Sequence, residues 1–398
     1  MTNEGPNDIV HSVKIIPYSK QKIDSKDLRA VHQTLSSAFI TQGPKTEEFE
    51  RALAKFCGAK YAVAVSNGTA ALHLAALAAG LKKGDEAITS PITFLATANC
   101  VLYVGAQVVF ADIDYDTVNI DPQAIQKAVT KKTKAILPVH FAGLPAQMEE
   151  IHKIAKKKKL IVIEDASHAL GAQYRGHKIG SCMHSDMAIF SFHPVKHITT
   201  GEGGCITTNS KMYYEKLKAL RSHGVYRSSE VQKKRGGWYY EMKELGFNYR
   251  ITDFQCALGI SQLKKINEFV NRRIEIAEEY NELFSDFRNQ LRIPPQRIDL
   301  EKHVWHLYLL RLKIKNPAPT RKRLFEYLKS NGINPQVHYI PIYNQPYYQK
   351  ILNGKRNECV NAERYYQEVM SLPVFPTMTS AELMKTVSTV KRFLAQEF

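Results

Sequence analysis

Lys196 is the residue around which chemistry can be built. It lies between two apolar runs, Met187 to Phe192 and Cys205 to Thr208, both of which read as buried strands. The intervening loop is opened by His193-Pro194 and closed by the cluster Gly201-Glu202-Gly203-Gly204. A lysine in that turn cannot easily reach bulk water. Desolvation disfavours its ammonium, so its amine is available as a nucleophile.

Lysines of this kind serve Schiff-base chemistry, and the cofactor that exploits it most often is pyridoxal 5'-phosphate (PLP). PLP also needs a phosphate cradle and an acid for its pyridinium nitrogen. The strand-like Tyr61–Val65 runs into Ser66-Asn67-Gly68-Thr69-Ala70, which opens an alanine-rich helix reaching Gly80. Gly68 permits close approach, and the first helical amides present the positive end of the dipole. The same turn is also what an ordinary N-cap looks like. Leu160–Glu164 reads as a strand, continued by Asp165-Ala166-Ser167-His168. Ligands in open α/β sheets gather at strand carboxyl ends, which places Asp165 to hold a pyridinium N–H. Such a pair keeps the ring protonated and therefore an electron sink. The alternative is a solvated acid at a strand end. His168 either orients that carboxylate, touches the cofactor, or is structural. Phe94, after Pro91-Ile92-Thr93, stands at a strand-to-helix mouth and either stacks on a flat ring or fills core.

The surrounding pattern alternates strands with helices. Ser25 caps a helix to about Ser36, and Lys45–Phe56 forms another. Strands are expected at Ala87–Thr89, Gln107–Asp112 and Ala135–Phe141, with helices at Pro122–Val129 and Met148–Lys158. This βαβ series implies an α/β fold with a parallel sheet covered on both faces. After a helix at Lys211–Leu220, Tyr226–Tyr240 reads as a long basic, aromatic loop suited to a lid. Asp253 leads into helices to Leu263 and to about Asp286. A smaller α/β unit follows, with strands at His306–Leu312 and Ile333–His338, a helix capped by Thr320 and running to Ser330, and a last helix at Ala381–Glu397. Residues 1–13 are polar and expected to be mobile, and Ile15–Tyr18 to anchor the start of the fold.

A chain of 398 residues accommodates two such units, and 44% apolar with 23% charged residues is ordinary for a soluble globular protein. The net charge of +17 suits a nucleic acid, an anionic surface, an anionic small substrate, or simply a lysine-rich solvated surface. The basic residues are spread through stretches such as Lys153–Lys159, with no recognition helix or aromatic–basic stripe, which argues against nucleic acid. The six cysteines form no C-x-x-C pair and sit mostly in apolar surroundings, as buried thiols in a reducing compartment do; no metal site is expected. No signal peptide or apolar run of membrane-spanning length is present, so a cytoplasmic location is expected, with no membrane partner.

Taken together, these stretches resemble the DegT/DnrJ/EryC1/StrS sugar aminotransferases. The motifs are Thr41-Gln42-Gly43-Pro44 with Phe49-Glu50, Ser66-Asn67-Gly68-Thr69-Ala70, Pro91-Ile92-Thr93-Phe94, Glu164-Asp165-Ala166-Ser167-His168-Ala169, Phe190-Ser191-Phe192 with Lys196 and the glycine cluster, and Gly246-Phe247-Asn248-Tyr249-Arg250. They occur in family order over about Ser12 to Phe398.

The resemblance implies the aspartate aminotransferase-like fold type I of PLP-dependent transferases. That means a large domain with a mostly parallel seven-stranded sheet and a smaller C-terminal α/β domain, divided here as 1–24 N-terminal segment, 25–265 and 266–398. It implies that Lys196 bonds PLP, Asp165 binds the pyridine nitrogen, Phe94 stacks on the ring and His168 lies beside it. Gly68, Thr69 and Ser191 would hold the phosphate, joined by Asn248 from the other subunit of a homodimer. Tyr18, Phe39, Ile40, Thr41, Gln42, Ser66, Gln336, Val337, His338, Tyr339 and Tyr348 would line a nucleotide-sugar pocket. Phe192-His193-Pro194-Val195-Lys196, Arg221-Ser222-His223-Gly224, Gln336-Val337-His338-Tyr339 and Pro341-Ile342-Tyr343 are most similar to members that aminate C4 of a UDP-sugar on the route to pseudaminic acid, with L-glutamate as donor. Sugar 3-dehydratases of the group carry histidine where Lys196 stands, and amination of another UDP-, TDP- or GDP-ketosugar is the remaining alternative.

Overall fold

The computed structural model describes residues 15–294, 301–353 and 358–398. The expected mobile stretch 1–13 lies outside them.

The chain opens with α1 (Ser25–Leu35) and α2 (Pro44–Cys57), then β1 (Tyr61–Val65), α3 (Gly68–Ala78), β2 (Glu86–Thr89), α4 (Leu95–Tyr103), β3 (Gln107–Phe110), α5 (Pro122–Ala128), β4 (Thr133–Leu137), α6 (Met148–Lys158) and β5 (Ile161–Asp165). A small hairpin, β6 (Gln173–Tyr174) and β7 (His177–Lys178), precedes β8 (Met187–Ser191), β9 (Gly204–Thr208) and α7 (Lys211–Arg221). Next come β10 (Val225–Tyr226), α8 (Ser229–Arg235), β11 (Glu241–Met242), α9 (Asp253–Leu263) and α10 (Ile266–Leu283). The C-terminal part contains β12 (Leu291–Arg292), β13 (Glu301–Lys302), β14 (Tyr308–Leu312), α11 (Pro317–Ser330), α12 (Pro346–Leu352), α13 (Val360–Glu368), β15 (Val369–Leu372) and α14 (Ser380–Glu397).

The main sheet has seven strands in the order β1-β9-β8-β5-β4-β2-β3. Its pairs are parallel except β1–β9 and β8–β9. This is the mostly parallel α/β sheet expected. Residues alternate between its faces. Val63, Val65, Ala135, Leu137, Ile163, Met187 and Ile189 belong to one core. Ala62, Ala64, Ile136, Val162 and Phe190 belong to the other. Covering both faces explains why these strands read as continuous apolar runs.

A second sheet, β12-β14-β15, is antiparallel and lies over a separate core formed with α10, α11 and α14. Ile16 joins that core: its amide donates to the Gly332 carbonyl, and its carbonyl accepts from Asn334. Conversely, Tyr343, Tyr348 and Tyr365 from the C-terminal part complete the core of the main sheet.

The structure departs from the sequence expectation at several places. Asp24, not Ser25, caps α1: its carboxylate accepts the Lys26 and Asp27 amides, and Ser25 is the first helical residue. Tyr226–Tyr240 is not all loop but contains α8, none of whose residues is buried, so no apolar period marked it. Ile333–His338 forms no strand. It makes only single bridges, Ile16–Ile333 and Gln336–Ser371, because Pro335 lacks an N–H for a ladder. The helix ending at Ser330 starts at Pro317, and Thr320 is buried inside it. The strand expected over Ala135–Phe141 stops at Leu137, before Pro138.

Sheet topology gathers the chemistry at one edge. β8 runs parallel to β5, with Asp165 opposite Ile189, so Asp165 and Ser191 leave the sheet on the same side. Strand β9 reverses direction and β1 reverses again, so β1 runs parallel to β8. The turn after β1 therefore arrives beside Ser191. A Cβ on Gly68 would lie 2.9 Å from that of Ser191, and one on Gly204 would lie 2.4 Å from the Asn67 carbonyl oxygen. Gly68 and Gly204 thus serve the close approach of two turns.

Candidate active site

A cavity of about 530 Å³ opens at this edge. Of the residues singled out from sequence, Lys196, Asp165, His168, Phe94, Gly68, Thr69, Ser191, Tyr18, His338 and Tyr339 all line it.

Lys196 is half-buried on the loop between β8 and β9, its amide bonded to the His193 carbonyl at 2.9 Å. Burial pushes its pKa down to about 8. Asp165 opposes that shift and Arg273 adds to it. An amine so poised exists as free base near neutral pH far more often than a surface lysine does.

Asp165, 5% exposed, ends β5. Its Oδ2 accepts from the Thr97 hydroxyl at 2.6 Å and its Oδ1 from the Ser167 amide at 3.0 Å. Each oxygen keeps lone-pair capacity for a further donor. Behind it, His140 donates its backbone N–H to the Asp165 carbonyl. The His140 side chain accepts the Ala146 amide at Nδ1, so its proton sits on Nε2, which meets Glu164 Oε2 at 2.7 Å. This buried pair fixes the strand end that carries Asp165.

His168 is buried, its ring stacked near Tyr339 and 4.2 Å from that of His306. Burial first, then Lys196, His338 and His197, holds it well below the usual histidine range, so it is neutral. Its Nδ1 has no hydrogen-bond partner among the described residues. Phe94, 57% exposed, caps α4 at the cavity mouth with its ring 6.3 Å from that of Tyr339. A large exposed aromatic beside a polar cavity fits a flat ring lying against it.

At the other end, the Asn67 side chain takes the Ala70 amide at 2.8 Å and its carbonyl takes the Ala71 amide. The Gly68 and Thr69 amides at the start of α3 remain for an anion, with the Ser191 hydroxyl alongside. A nucleophilic amine, a fixed carboxylate, an exposed aromatic and an anion cradle in one cavity fit PLP. Lys196 would bond it, Asp165 would take the ring nitrogen, and Gly68, Thr69 and Ser191 would hold the phosphate.

Other sequence candidates lie elsewhere in the single chain. Phe39 borders a groove between α1 and α9, and Gln42 shares a small depression with Arg250. Ile40 and Thr41 are exposed, and Ile40 and Thr41 pair with Asp253 and Thr252. Ser66 is half-buried, donating its amide to the Tyr249 carbonyl. Asn248 is exposed and outside the cavity. Gln336 and Val337 are half-buried and precede His338, which lines the cavity. Tyr348 is a packing residue rather than a cavity wall: 2% exposed, with its hydroxyl on Asn99 Oδ1 at 2.6 Å. Sequence reading passed over Thr97, His306 and Arg273. Only the one-turn spacing of Thr93 and Thr97 could have signalled the first.

Comparison with known proteins agrees with this geometry. The model of the DegT/DnrJ/EryC1/StrS aminotransferase family matches residues 21–391. The UDP-4-amino-4,6-dideoxy-N-acetyl-beta-L-altrosamine transaminase of Campylobacter jejuni is 41% identical over 92% of this chain and 93% of its own. The spore coat polysaccharide biosynthesis protein SpsC of Bacillus subtilis is 40% identical over 94% of this chain and 96% of its own. Among solved structures, Helicobacter pylori PseC, an aminotransferase of pseudaminic acid biosynthesis, superposes with a TM-score of 0.89 at 34% identity, covering 96% of this chain and all of that one. A putative sugar aminotransferase from Streptococcus pneumoniae, solved in its PLP form, superposes at 0.89 with 27% identity, over 96% of this chain and all of that one. The chain belongs to the DegT/DnrJ/EryC1/StrS aminotransferase family and is a PLP-dependent sugar aminotransferase of the fold type I architecture.

Proposed function

We propose that the enzyme transfers the amino group of L-glutamate to C4 of UDP-2-acetamido-2,6-dideoxy-β-L-arabino-hex-4-ulose, a step of pseudaminic acid biosynthesis supplying flagellin or other surface glycans. The observation that carries this reading is the 41% identity, over nearly the whole of both chains, to a transaminase named for the aminated sugar. PLP would supply, when bound, the electron sink for loss of a proton from the donor's Cα. The amine of Lys196 would take that proton as base and, once 2-oxoglutarate has left, give one to the sugar's C4. Asp165 keeps the ring nitrogen protonated, and Phe94 and neutral His168 hold the ring plane.

The cavity walls Tyr18, His338 and Tyr339 offer flat faces with polar tips, which suit a nucleobase and sugar hydroxyls. Lys196 is the one lysine or arginine among the described residues that line the cavity, so a substrate diphosphate needs cations from outside. Arg221 is already engaged with Glu50 at 2.5 Å. Arg227 and Arg235 are exposed on the α8 excursion, and Arg250 follows Asn248. We assign these groups, with Asn248 and the exposed Phe39–Gln42, to the neighbouring subunit's site in a homodimer. Trp238, 80% exposed, and Leu245, 75% exposed, give that excursion apolar surface to bury. No helix among the described residues is long and apolar enough to cross a membrane.

The similarity to SpsC favours a second reading, amination of a different UDP-, TDP- or GDP-4-ketosugar for a surface polysaccharide. Steady-state kinetics on a panel of nucleotide 4-ketosugars with glutamate separates the two. The β-L-arabino ketosugar should react faster than its D-xylo epimer, because misplacing C4 over the cofactor costs heavily in attack geometry. A clear preference for the D-xylo, TDP- or GDP-sugar rejects the pseudaminate assignment and leaves the aminotransferase intact.

A further inference from the structure

Arg273, on α10, is fully buried, and no carboxylate pairs with it among the described residues. A buried guanidinium without a counter-ion is costly, and core packing alone does not call for one. Its two Nη groups donate to oxygens from separate segments, while Nε has no hydrogen-bond partner among the described residues. Nη1 reaches the carbonyls of Val374 at 2.7 Å, His306 at 3.3 Å and Trp305 at 3.4 Å. Nη2 reaches Ser19 Oγ at 3.3 Å and the Val195 carbonyl at 3.4 Å. The Ser19 hydroxyl itself donates to the Val195 carbonyl at 3.3 Å.

Each of these segments bears on the cavity. Val195 precedes Lys196. Tyr18 precedes Ser19, and its carbonyl accepts the Val374 amide at 3.0 Å. The His306 ring lies 4.2 Å from that of His168. We propose that Arg273 is a positioning residue for Lys196: its planar fork, seated on the Val195 carbonyl, the Ser19 hydroxyl and the Trp305–His306 backbone, fixes the lysine loop relative to the walls carrying Tyr18 and His168. A lysine at this position has a point charge on a flexible stem and cannot span both sets of acceptors. The uncompensated charge of Arg273 also opposes protonation of Lys196, which Asp165 favours and His168, His197, His306 and His338 surround as neutral groups. The role does not depend on which sugar is aminated.

The test uses holoenzyme, PLP and L-glutamate without any sugar, following the half-reaction by the change in cofactor absorbance. Arg273→Lys should fold and bind PLP, with the half-reaction rate constant lowered by up to about 10²-fold and the KM for glutamate nearly unchanged. Arg273→Met should show the same loss and also raise the pH at which the bound chromophore changes colour. Ser19→Ala removes the second donor to Val195 and one acceptor of Arg273 while leaving the buried guanidinium itself in place. It should slow the half-reaction several-fold at unchanged Tm, and it keeps the test valid if the arginine variants do not fold. Wild-type rate constants in folded Arg273→Lys overturn the proposal, as does a lower Tm with full activity per folded molecule. So does a wild-type rate constant in Ser19→Ala. Because no sugar is present, a wrong sugar assignment leaves the outcome untouched.

Discussion

The Thr97 hydroxyl donates to Asp165 Oδ2 at 2.6 Å, and its own oxygen lies 2.9 Å from Thr93 Oγ1. Thr97 lies in the first turn of α4 and Thr93 just before its N-cap, so the helix that Phe94 caps also orients the acid on β5. Thr97→Val keeps the shape and removes the donor. A hydrogen bond to a charged group contributes about 1.5–3 kcal/mol, so the dissociation constant for PLP should rise roughly ten- to hundredfold. The apoprotein's Tm should move little, because valine fills the same space. Fluorescence titration of apoprotein with PLP checks this, and an unchanged affinity would show that the Ser167 amide alone orients the acid.

Replacing Lys196 separates folding from chemistry. The side chain stands half-buried on a loop rather than in a core, so Lys196→Ala should fold with a near-normal Tm. Its amination rate should fall by at least about 10²–10⁴-fold, the scale of general acid–base catalysis alone. Lys196→Arg should fail as well, because guanidinium stays protonated and forms no imine. Borohydride followed by intact mass should fix cofactor to the wild type and to neither variant. Full turnover by Lys196→Ala would remove the lysine from the mechanism.

The pKa of Lys196 gives a pH dependence with a definite sign. Burial lowers it from the ordinary lysine value to about 8, so the reactive free amine accumulates as pH rises through 8 and is about nine-tenths formed at about pH 9, where an ordinary lysine is still almost wholly protonated. The rate at which apoprotein captures PLP should therefore rise about tenfold per unit at low pH and level off above about 8. Stopped-flow absorbance across pH 6 to 10 reads it directly. A rate still climbing at pH 10 would mean that the ammonium is solvated.

Much of this arrangement was written in short motifs, and the reason is physical. Asp165, Lys196 and the Ser66–Ala70 turn sit where strands end, and apolar runs announce strand ends whatever the tertiary contacts. Burial on both faces made strands β1, β5 and β8 legible almost to the residue. Pairing order was not legible, because nothing local says that β9 turns back between β8 and β1. Helix α8 was hidden, since a helix with no buried residue has no apolar period. Arg273 was hidden for the opposite reason: in a run such as Asn271-Arg272-Arg273 a buried arginine looks like any surface cation until the carbonyls around it are known. Tyr348 misled, because a tyrosine with one good acceptor packs as core while reading as a binding aromatic.

The last prediction concerns subunit sharing. Asn248 is exposed, and its backbone bridges Ser222 rather than any wall of its own chain's cavity. If it completes the phosphate site of the neighbouring subunit, each site needs Lys196 from one chain and Asn248 from the other. Lys196→Ala and Asn248→Ala homodimers should each be impaired. In a mixed dimer, one site lacks both groups and the other has both. Random exchange makes half of the dimers mixed, each with one intact site, so activity should recover to about a quarter of the wild-type level at equal total protein. The measurement is amination rate against time after mixing, with tagged chains to confirm exchange. Recovery that tracks exchange supports shared sites. Confirmed exchange without recovery means that Asn248 acts on its own chain's site or on none.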